Sequence, residues 1–146
     1  MRATLVVIAV AGAVLASATQ ASARVACVRD RGPYTRTFCG PAKATLKIGH
    51  KTYSFKQGGR CAIDGSTWTL SIGTLTLSGK PKKTYFAITI FSKKAGTHGA
   101  AITWQIHGKS QSLYNAKVTL AKNLKKGTFK GSSGSGGKAT GSFTCK

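Results

Sequence analysis

Three histidines are the side chains of this sequence best suited to acid–base chemistry. His50 follows a glycine, His98 lies in a glycine-rich segment, and His107 ends an apolar run. Two histidines acting as acid and base, with a lysine to stabilise the developing negative charge, would suffice to cleave RNA. Because the three positions are scattered along the chain, a secreted ribonuclease or toxin is the alternative function and not the favoured one.

Other catalytic patterns are incomplete. Asp30 and Asp64 are the only carboxylate side chains, and Asp64 belongs to an Asp-Gly turn signal, so paired-carboxylate hydrolysis lacks its two flanking acids. The serine motif G-x-S-x-G fails at Ser135, where glycine is required. No Cys-x-x-Cys pair or histidine cluster favours a zinc site. We therefore predict no catalytic residue, no metal and no cofactor.

The first 23 residues have the three parts of a secretory signal. Arg2 supplies the positive charge, and residues 5–15 form an uncharged apolar run that is too short to span a bilayer. Ala21-Ser22-Ala23 offers the small residues that a signal peptidase requires, although a cut after Ala18 would also fit. We predict a signal peptide at residues 1–23, a single domain at residues 24–146, and a secreted or envelope-associated location.

Four cysteines remain after this cleavage, namely Cys27, Cys39, Cys61 and Cys145. An even number of cysteines in an exported chain indicates disulfides, and four cysteines allow three connectivities. We favour Cys27–Cys39, which are close neighbours in sequence, together with Cys61–Cys145, which bracket the strand-rich part of the chain.

Basic residues far outnumber acidic ones. The chain contains 23 Lys and Arg against two acidic residues, a formal net charge of +21, and about +20 remains after cleavage. Such an excess keeps a protein soluble and monomeric and attracts polyanions, so we predict sequence-independent association with envelope glycans, phosphate polymers, lipid head groups or nucleic acid. The alternative interpretation is that the basic composition serves only to keep the protein soluble. The lysine clusters predicted to bind a polyanion are Lys80, Lys82, Lys83, Lys93, Lys94, Lys122, Lys125 and Lys126.

The elements that must carry these side chains are short β-strands. From residue 43 onward, apolar and polar residues alternate between turn signals, as in Trp68, Leu70 and Ile72. At Gly73 the apolar phase shifts by one residue, which indicates a bulge or a bend. The pattern predicts an all-β fold, a single antiparallel β sandwich or partly closed barrel with two disulfides.

One segment fits two structures. In residues 112–126, apolar side chains recur at helical spacing, with Ser112 as an N-cap and Gly127 as a stop. The same residues also alternate as in a strand, and the surrounding β-branched residues favour the strand.

The C-terminal segments 127–129 (GTF) and 137–145 (GKATGSFTC) resemble the ending of the LpqH-type small envelope antigens of actinobacteria. In that family an early cysteine, before a strand ending in Ile-Gly, pairs with a C-terminal cysteine, and Cys61, Ile72-Gly73 and Cys145 fit this pattern. The resemblance covers residues 44–145 and implies a non-enzymatic binding role at the surface or outside the cell. The relatives are usually lipoproteins, whereas Arg24 stands where lipid attachment at Cys27 would require an aliphatic residue.

Overall fold

The structure of the protein, a computed structural model, describes residues 28–30, 34–81 and 83–146. The predicted signal segment, Cys27 and Lys82 lie outside this part of the chain. The described residues form twelve β-strands and no helix: β1 (Val28–Asp30), β2 (Thr35–Phe38), β3 (Lys43–Ile48), β4 (Lys51–Phe55), β5 (Gly59–Asp64), β6 (Thr67–Thr76), β7 (Tyr85–Ile90), β8 (Gly96–Gly99), β9 (Ala101–Ile106), β10 (Lys109–Leu120), β11 (Lys126–Ser133) and β12 (Lys138–Thr144).

Antiparallel pairing joins these strands into one sheet. Its order is β1-β2-β6-β7-β9-β10-β11-β12-β3-β4. In addition, β5 pairs with β6, and β8 pairs with β10. The predicted all-β antiparallel class is therefore confirmed.

The sheet curls so that strands from its two ends meet. The backbone N–H of Ala42, just before β3, donates to the carbonyl of Gly59 at 3.0 Å, and the Gly59 N–H donates to the carbonyl of Gly40 at 3.0 Å. A disulfide joins Cys61 of β5 to Cys145, which follows β12. The curled sheet is thus a partly closed barrel, one of the two predicted architectures.

One of the two predicted disulfides is confirmed. Cys61 and Cys145 are bonded across a sequence separation of 84 residues. Cys27 lies outside the described residues, so the pairing of Cys27 with Cys39 stays a prediction.

Gly73 bends β6, as the phase shift predicted. Its φ of +86° lies in the left-handed region, and a Cβ at this position would run into the carbonyl oxygen of Thr84. The Gly73 N–H donates to the carbonyl of Gly58 at 2.8 Å. Before this residue β6 pairs with β5, and after it β6 pairs with β2, so the bend lets one strand serve two neighbours.

The strand interpretation of residues 112–126 is confirmed as far as Leu120. β10 runs from Lys109 to Leu120, and the chain turns back so that Ala121 N–H donates to the carbonyl of Lys126 at 2.9 Å. Its pairing with β11 is irregular between Tyr114 and Lys117. The irregularity bends β10 where the neighbouring strand changes from β9 to β8.

The inward positions of the alternating strands form the core. Three phenylalanine rings lie in a row through it, with centroids 4.8 Å apart between Phe55 and Phe86 and 5.6 Å apart between Phe86 and Phe129. Burying each large apolar side chain contributes about 1.5–3 kcal/mol, so the core drives the curl of the sheet. The largest fully buried side chains are Trp68, Phe55, Phe86, Leu46, Leu70, Ile72, Ile88, Ile90, Ile102 and Val118.

Candidate functional site

The exposed positions of β11, β12 and β3, and of β10 from Lys117 onward, are lysines and hydroxyl residues. Because side chains of a strand alternate between its faces, every buried residue here has exposed neighbours on the other face. On β11, for example, Thr128 and Lys130 are exposed on either side of the buried Phe129. We call this surface the lysine–hydroxyl face. Its exposed members are Lys43, Thr45, Lys47, Lys117, Thr119, Lys126, Thr128, Lys130, Lys138, Thr140, Ser142 and Thr144.

Strand register arranges these side chains in rows across the sheet. One row runs Lys117, Lys130, Thr140, Lys47 over β10, β11, β12 and β3. The next row contains only hydroxyl residues and runs Thr119, Thr128, Ser142, Thr45. A third row runs Lys126, Thr144, Lys43 over β11, β12 and β3. Lysines therefore flank a central strip of hydroxyl groups on both sides.

The hydroxyl strip is held by contacts between neighbouring strands. The hydroxyls of Thr45 and Ser142 lie 3.1 Å apart, and the hydroxyls of Thr97 and Thr119 lie 2.8 Å apart. An open groove of about 630 Å³ runs over this surface. Since threonine and serine are short and lysine is long, the hydroxyls form the floor of the groove, and Lys47, Lys117 and Lys130 line it.

The lysines of the face repel one another. Lys117 stands directly opposite Lys130, and Cα atoms of directly opposed residues in antiparallel strands lie about 4.5–5.5 Å apart. Like charges in this relationship destabilise a sheet. Asp30 in β1 and Asp64 in β5 are the only acidic side chains of the chain, so none lies on the strands of this face. The arrangement costs stability, and an anion placed in the groove would relieve it.

Of the lysines predicted to bind a polyanion, those that the structure describes lie in loops instead of on this face, apart from Lys126. The described ones are exposed: Lys80 and Lys83 precede β7, Lys93 and Lys94 follow it, and Lys122 and Lys125 lie between β10 and β11. Leu120 at the end of β10 pairs with Gly96 at the start of β8. The lysines that follow β7 and those that follow β10 therefore lie at the same end of the barrel. Lys80 and Lys83 lie at the other end.

The three histidines lie in three different parts of the fold. His98 lies in β8, where its Nε2 is 2.8 Å from the carbonyl oxygen of Lys94. His107 lies in the turn between β9 and β10, and His50 lies in the turn between β3 and β4. The extended segment of β8 and β9 separates His98 from His107 by roughly 25–30 Å at about 3.3 Å per residue. The acid–base pair of His98 and His107 is therefore not assembled.

Sequence reasoning missed the face because it searched for lysines that are adjacent in sequence. On a strand, residues that share a face are two positions apart. The signal was present as Lys43, Thr45 and Lys47, and again as Lys117 and Thr119. Which lysines stand side by side depends on the pairing of the strands, which this pattern does not specify.

The described part of the chain contains neither a membrane-spanning helix nor a cluster of metal-ligating side chains. None of its segments forms a helix that is long and apolar enough to cross a membrane. Within the same residues, no three or more His, Cys, Asp or Glu side chains are grouped so that they could bind a metal ion.

Comparison with known proteins yields one structural likeness. No protein-family model matches the chain, and no curated protein matches it. The chain is similar to a solved structure of a redesigned β barrel, with a TM-score of 0.46 and 19% sequence identity, over 74% of this chain and 90% of that chain. The fold is defined by the strand pairing, and the resemblance to the LpqH-type antigens stays a prediction.

Proposed function

We propose that this protein is an exported binding domain that associates electrostatically with anionic polymers through its lysine–hydroxyl face. The observation that carries the proposal is the row of Lys117, Lys130 and Lys47 across paired strands that contain no carboxylate. If these side chains served only to stabilise the sheet, positive and negative charges would be expected to alternate along the row. Opposite charges on neighbouring strands are stabilising, whereas like charges are not.

The chemistry of the face suits a polymer with repeated phosphate, sulfate or carboxylate groups. Each lysine offers a compact ammonium charge on a flexible stem, and each threonine or serine offers a hydroxyl donor. A floor of hydroxyls with lysines along it can contact successive anionic groups of a polymer, whatever the identity of the monomers. Binding is therefore expected to depend on charge spacing and salt concentration, and the same face could bind envelope glycans, phosphate polymers or nucleic acid.

A salt titration of affinity tests the proposal. Single-stranded DNA of mixed sequence and heparin would be titrated at several salt concentrations against the wild-type protein and Lys47→Gln/Lys117→Gln/Lys130→Gln. Each lost phosphate contact changes the slope of log K against log salt by about 0.7 for single strands, so the triple variant should flatten the DNA slope by about 2.

A charge-matched control separates the face from net charge. Lys80→Gln/Lys83→Gln/Lys93→Gln removes the same charge from loops, and we expect it to flatten the slope by less than half as much. Equal effects of the two variants would show that attraction follows overall charge and would overturn the assignment to the face. Salt-independent association of the wild-type protein would overturn polyanion binding altogether.

The stability and affinity of a single-lysine variant give a second readout. Neutralising one lysine of the directly opposed pair, in Lys117→Gln, should raise the free energy of unfolding by about 0.2–1 kcal/mol because repulsion is removed. Loss of affinity together with a gain in stability would distinguish a binding role from a structural one. A loss of both would indicate that Lys117 supports the fold.

A further inference from the structure

A separate, mainly apolar cleft lies at the end of the barrel where the disulfide joins β5 to the C-terminal residues. Its volume is about 550 Å³, within the range of about 300–1,000 Å³ typical of small-ligand sites. Ile63, Trp68 and Leu124 line it together with both cysteines of the bridge. It shares no residue with the groove of the lysine–hydroxyl face.

The wall of this cleft leaves a large aliphatic side chain uncovered. Ile63 pairs with Trp68, which in turn pairs with Ile90, and directly paired residues of adjacent strands share a face. Trp68 is 1% exposed and Ile90 is fully buried, whereas Ile63 is 52% exposed. This row of paired residues therefore runs from the closed core into the open cleft. An apolar ligand in contact with Ile63 would bury its exposed side chain.

Leu124 adds a strained residue to the same cleft. Its φ of +56° lies in the left-handed region, which is unfavourable for leucine. The indole N–H of Trp68 donates to the carbonyl oxygen of Leu124 at 3.2 Å and holds the loop in this conformation. Backbone strain of this kind clusters at binding sites. Here it keeps the Leu124 side chain against the core beside the cleft.

Cations stand beside this apolar surface. Arg60, Lys125 and Lys146 line the cleft, Arg60 from the face of β5 opposite to Ile63, and no aspartate or glutamate side chain lines it. Arginine presents a planar set of donors that matches the geometry of a carboxylate or phosphate. The cleft thus combines an apolar wall with a positive rim.

We propose that this cleft binds an amphipathic anion, a molecule with one aliphatic chain and one carboxylate head group, such as a long-chain fatty acid. The chain would lie against Ile63, Trp68 and Leu124, and the head group would lie near Arg60 and Lys125. The proposal goes beyond polyanion binding and does not depend on it, because the two sites use different strands and different chemistry.

Calorimetric titration of the purified, oxidised protein with dodecanoate below its micelle concentration tests the proposal. We expect one saturable site, and we expect binding weaker by about tenfold or more for dodecan-1-ol, which lacks the charge, and for butyrate, which lacks the chain. Equal affinity for dodecanol would overturn the role of the cations. Absence of binding, or a stoichiometry well above one, would overturn the site.

Variants locate the binding. Ile63→Ser and Arg60→Gln/Lys125→Gln should each weaken dodecanoate binding by about tenfold. Leu77→Ser, which changes another exposed aliphatic residue (61% exposed), and Lys80→Gln/Lys83→Gln should leave it unchanged. Lys47→Gln/Lys117→Gln/Lys130→Gln should also retain it, so a failure here is distinguishable from a failure of polyanion binding. Equal weakening by the control variants would show general attraction to a basic protein and would contradict the proposal.

Discussion

The ring of Phe129 on β11 lies over Gly141, its direct partner on β12. A Cβ at Gly141 would run into this ring and into the carbonyl oxygen of Thr45. The arrangement recurs in reverse two residues along, where Phe143 on β12 covers Gly127 on β11 and a Cβ at Gly127 would lie 2.6 Å from the ring carbon Cζ. Each glycine leaves the space that an aromatic ring fills, as in aromatic rescue of strand glycines.

Gly141→Ala should destabilise the protein by about 1–3 kcal/mol or more, because the added methyl group overpacks the space occupied by Phe129. Gly99→Ala is the matched control, since a Cβ at Gly99 meets nothing within 4 Å, and it should change stability by less than about 0.5 kcal/mol. Chemical denaturation gives both values. Similar midpoints for the two variants would mean that the ring moves away at little cost.

The disulfide between Cys61 and Cys145 should contribute about 4–5 kcal/mol in the chain-entropy model, because it closes a long loop. Cys61→Ser/Cys145→Ser should lose this amount in denaturation without reductant. Cys27→Ser/Cys39→Ser should lower the free energy of unfolding by less, because a disulfide between these two cysteines would close a much shorter loop. Non-reducing peptide mapping should recover Cys61 joined to Cys145 and no free thiol. A peptide that joins Cys27 to Cys145 would refute the pairing.

His107→Asn should raise stability by a few tenths to about 1 kcal/mol. His107 and Gly108 have φ of +50° and +77°, and they connect the directly paired Ile106 and Lys109, which is a two-residue turn that favours Asn-Gly. His107→Val should lower stability, because β-branched residues avoid this region. Thermal unfolding of both variants measures whether His107→Asn is more stable than the wild type and His107→Val less stable. The reverse order of stabilities would exclude this turn conformation.

Tyr85 should make the protein less stable above about pH 10. Burial raises the pKa of Tyr85 above its ordinary value of 10.0, although a hydrogen bond with Ser71 and the charge of Arg36 partly oppose this. Above pH 10 the unfolded state therefore loses this proton before the folded state does, so the contribution of Tyr85 to stability falls as pH rises.

The difference between the wild-type protein and Tyr85→Phe isolates this contribution from the titration of the lysines. The wild-type protein should lose stability relative to Tyr85→Phe as the pH rises above about 10. A constant difference between Tyr85→Phe and wild type would contradict the shift.

The predicted signal peptide requires that protein recovered from the medium begins at Arg24. Ala21-Ser22-Ala23 supplies the small residues before the cut. N-terminal sequencing and intact mass decide this. An intact Met1, or a lipid on Cys27, would exclude export by this route.

Local sequence patterns predicted most of the strands from residue 43 onward and the bend at Gly73, but not β1, β2 or β8. Alternation is a property of neighbouring residues, so the buried positions of Trp68, Leu70 and Ile72 could be identified without knowing what they pack against. The number of cysteines in an exported chain indicated disulfides but left three connectivities open, and the structure decided the pairing for Cys61 and Cys145. The sheet order and the choice of a partly closed barrel over a sandwich could not be predicted, because they depend on contacts between distant strands.

The sequence by itself determined that the chain is basic throughout, that it forms β-strands, and that lysines and threonines alternate with its core residues. Only the tertiary structure decided that Lys117, Lys130 and Lys47 form one row, since Lys47 reaches it through the pairing of β3 with β12, nearly a hundred residues later in the chain. Likewise, only the curl of the sheet brings Ile63 and Leu124 to one cleft. Composition and alternation are local properties, whereas a surface is made by strand register and closure, which follow from burial of the whole core.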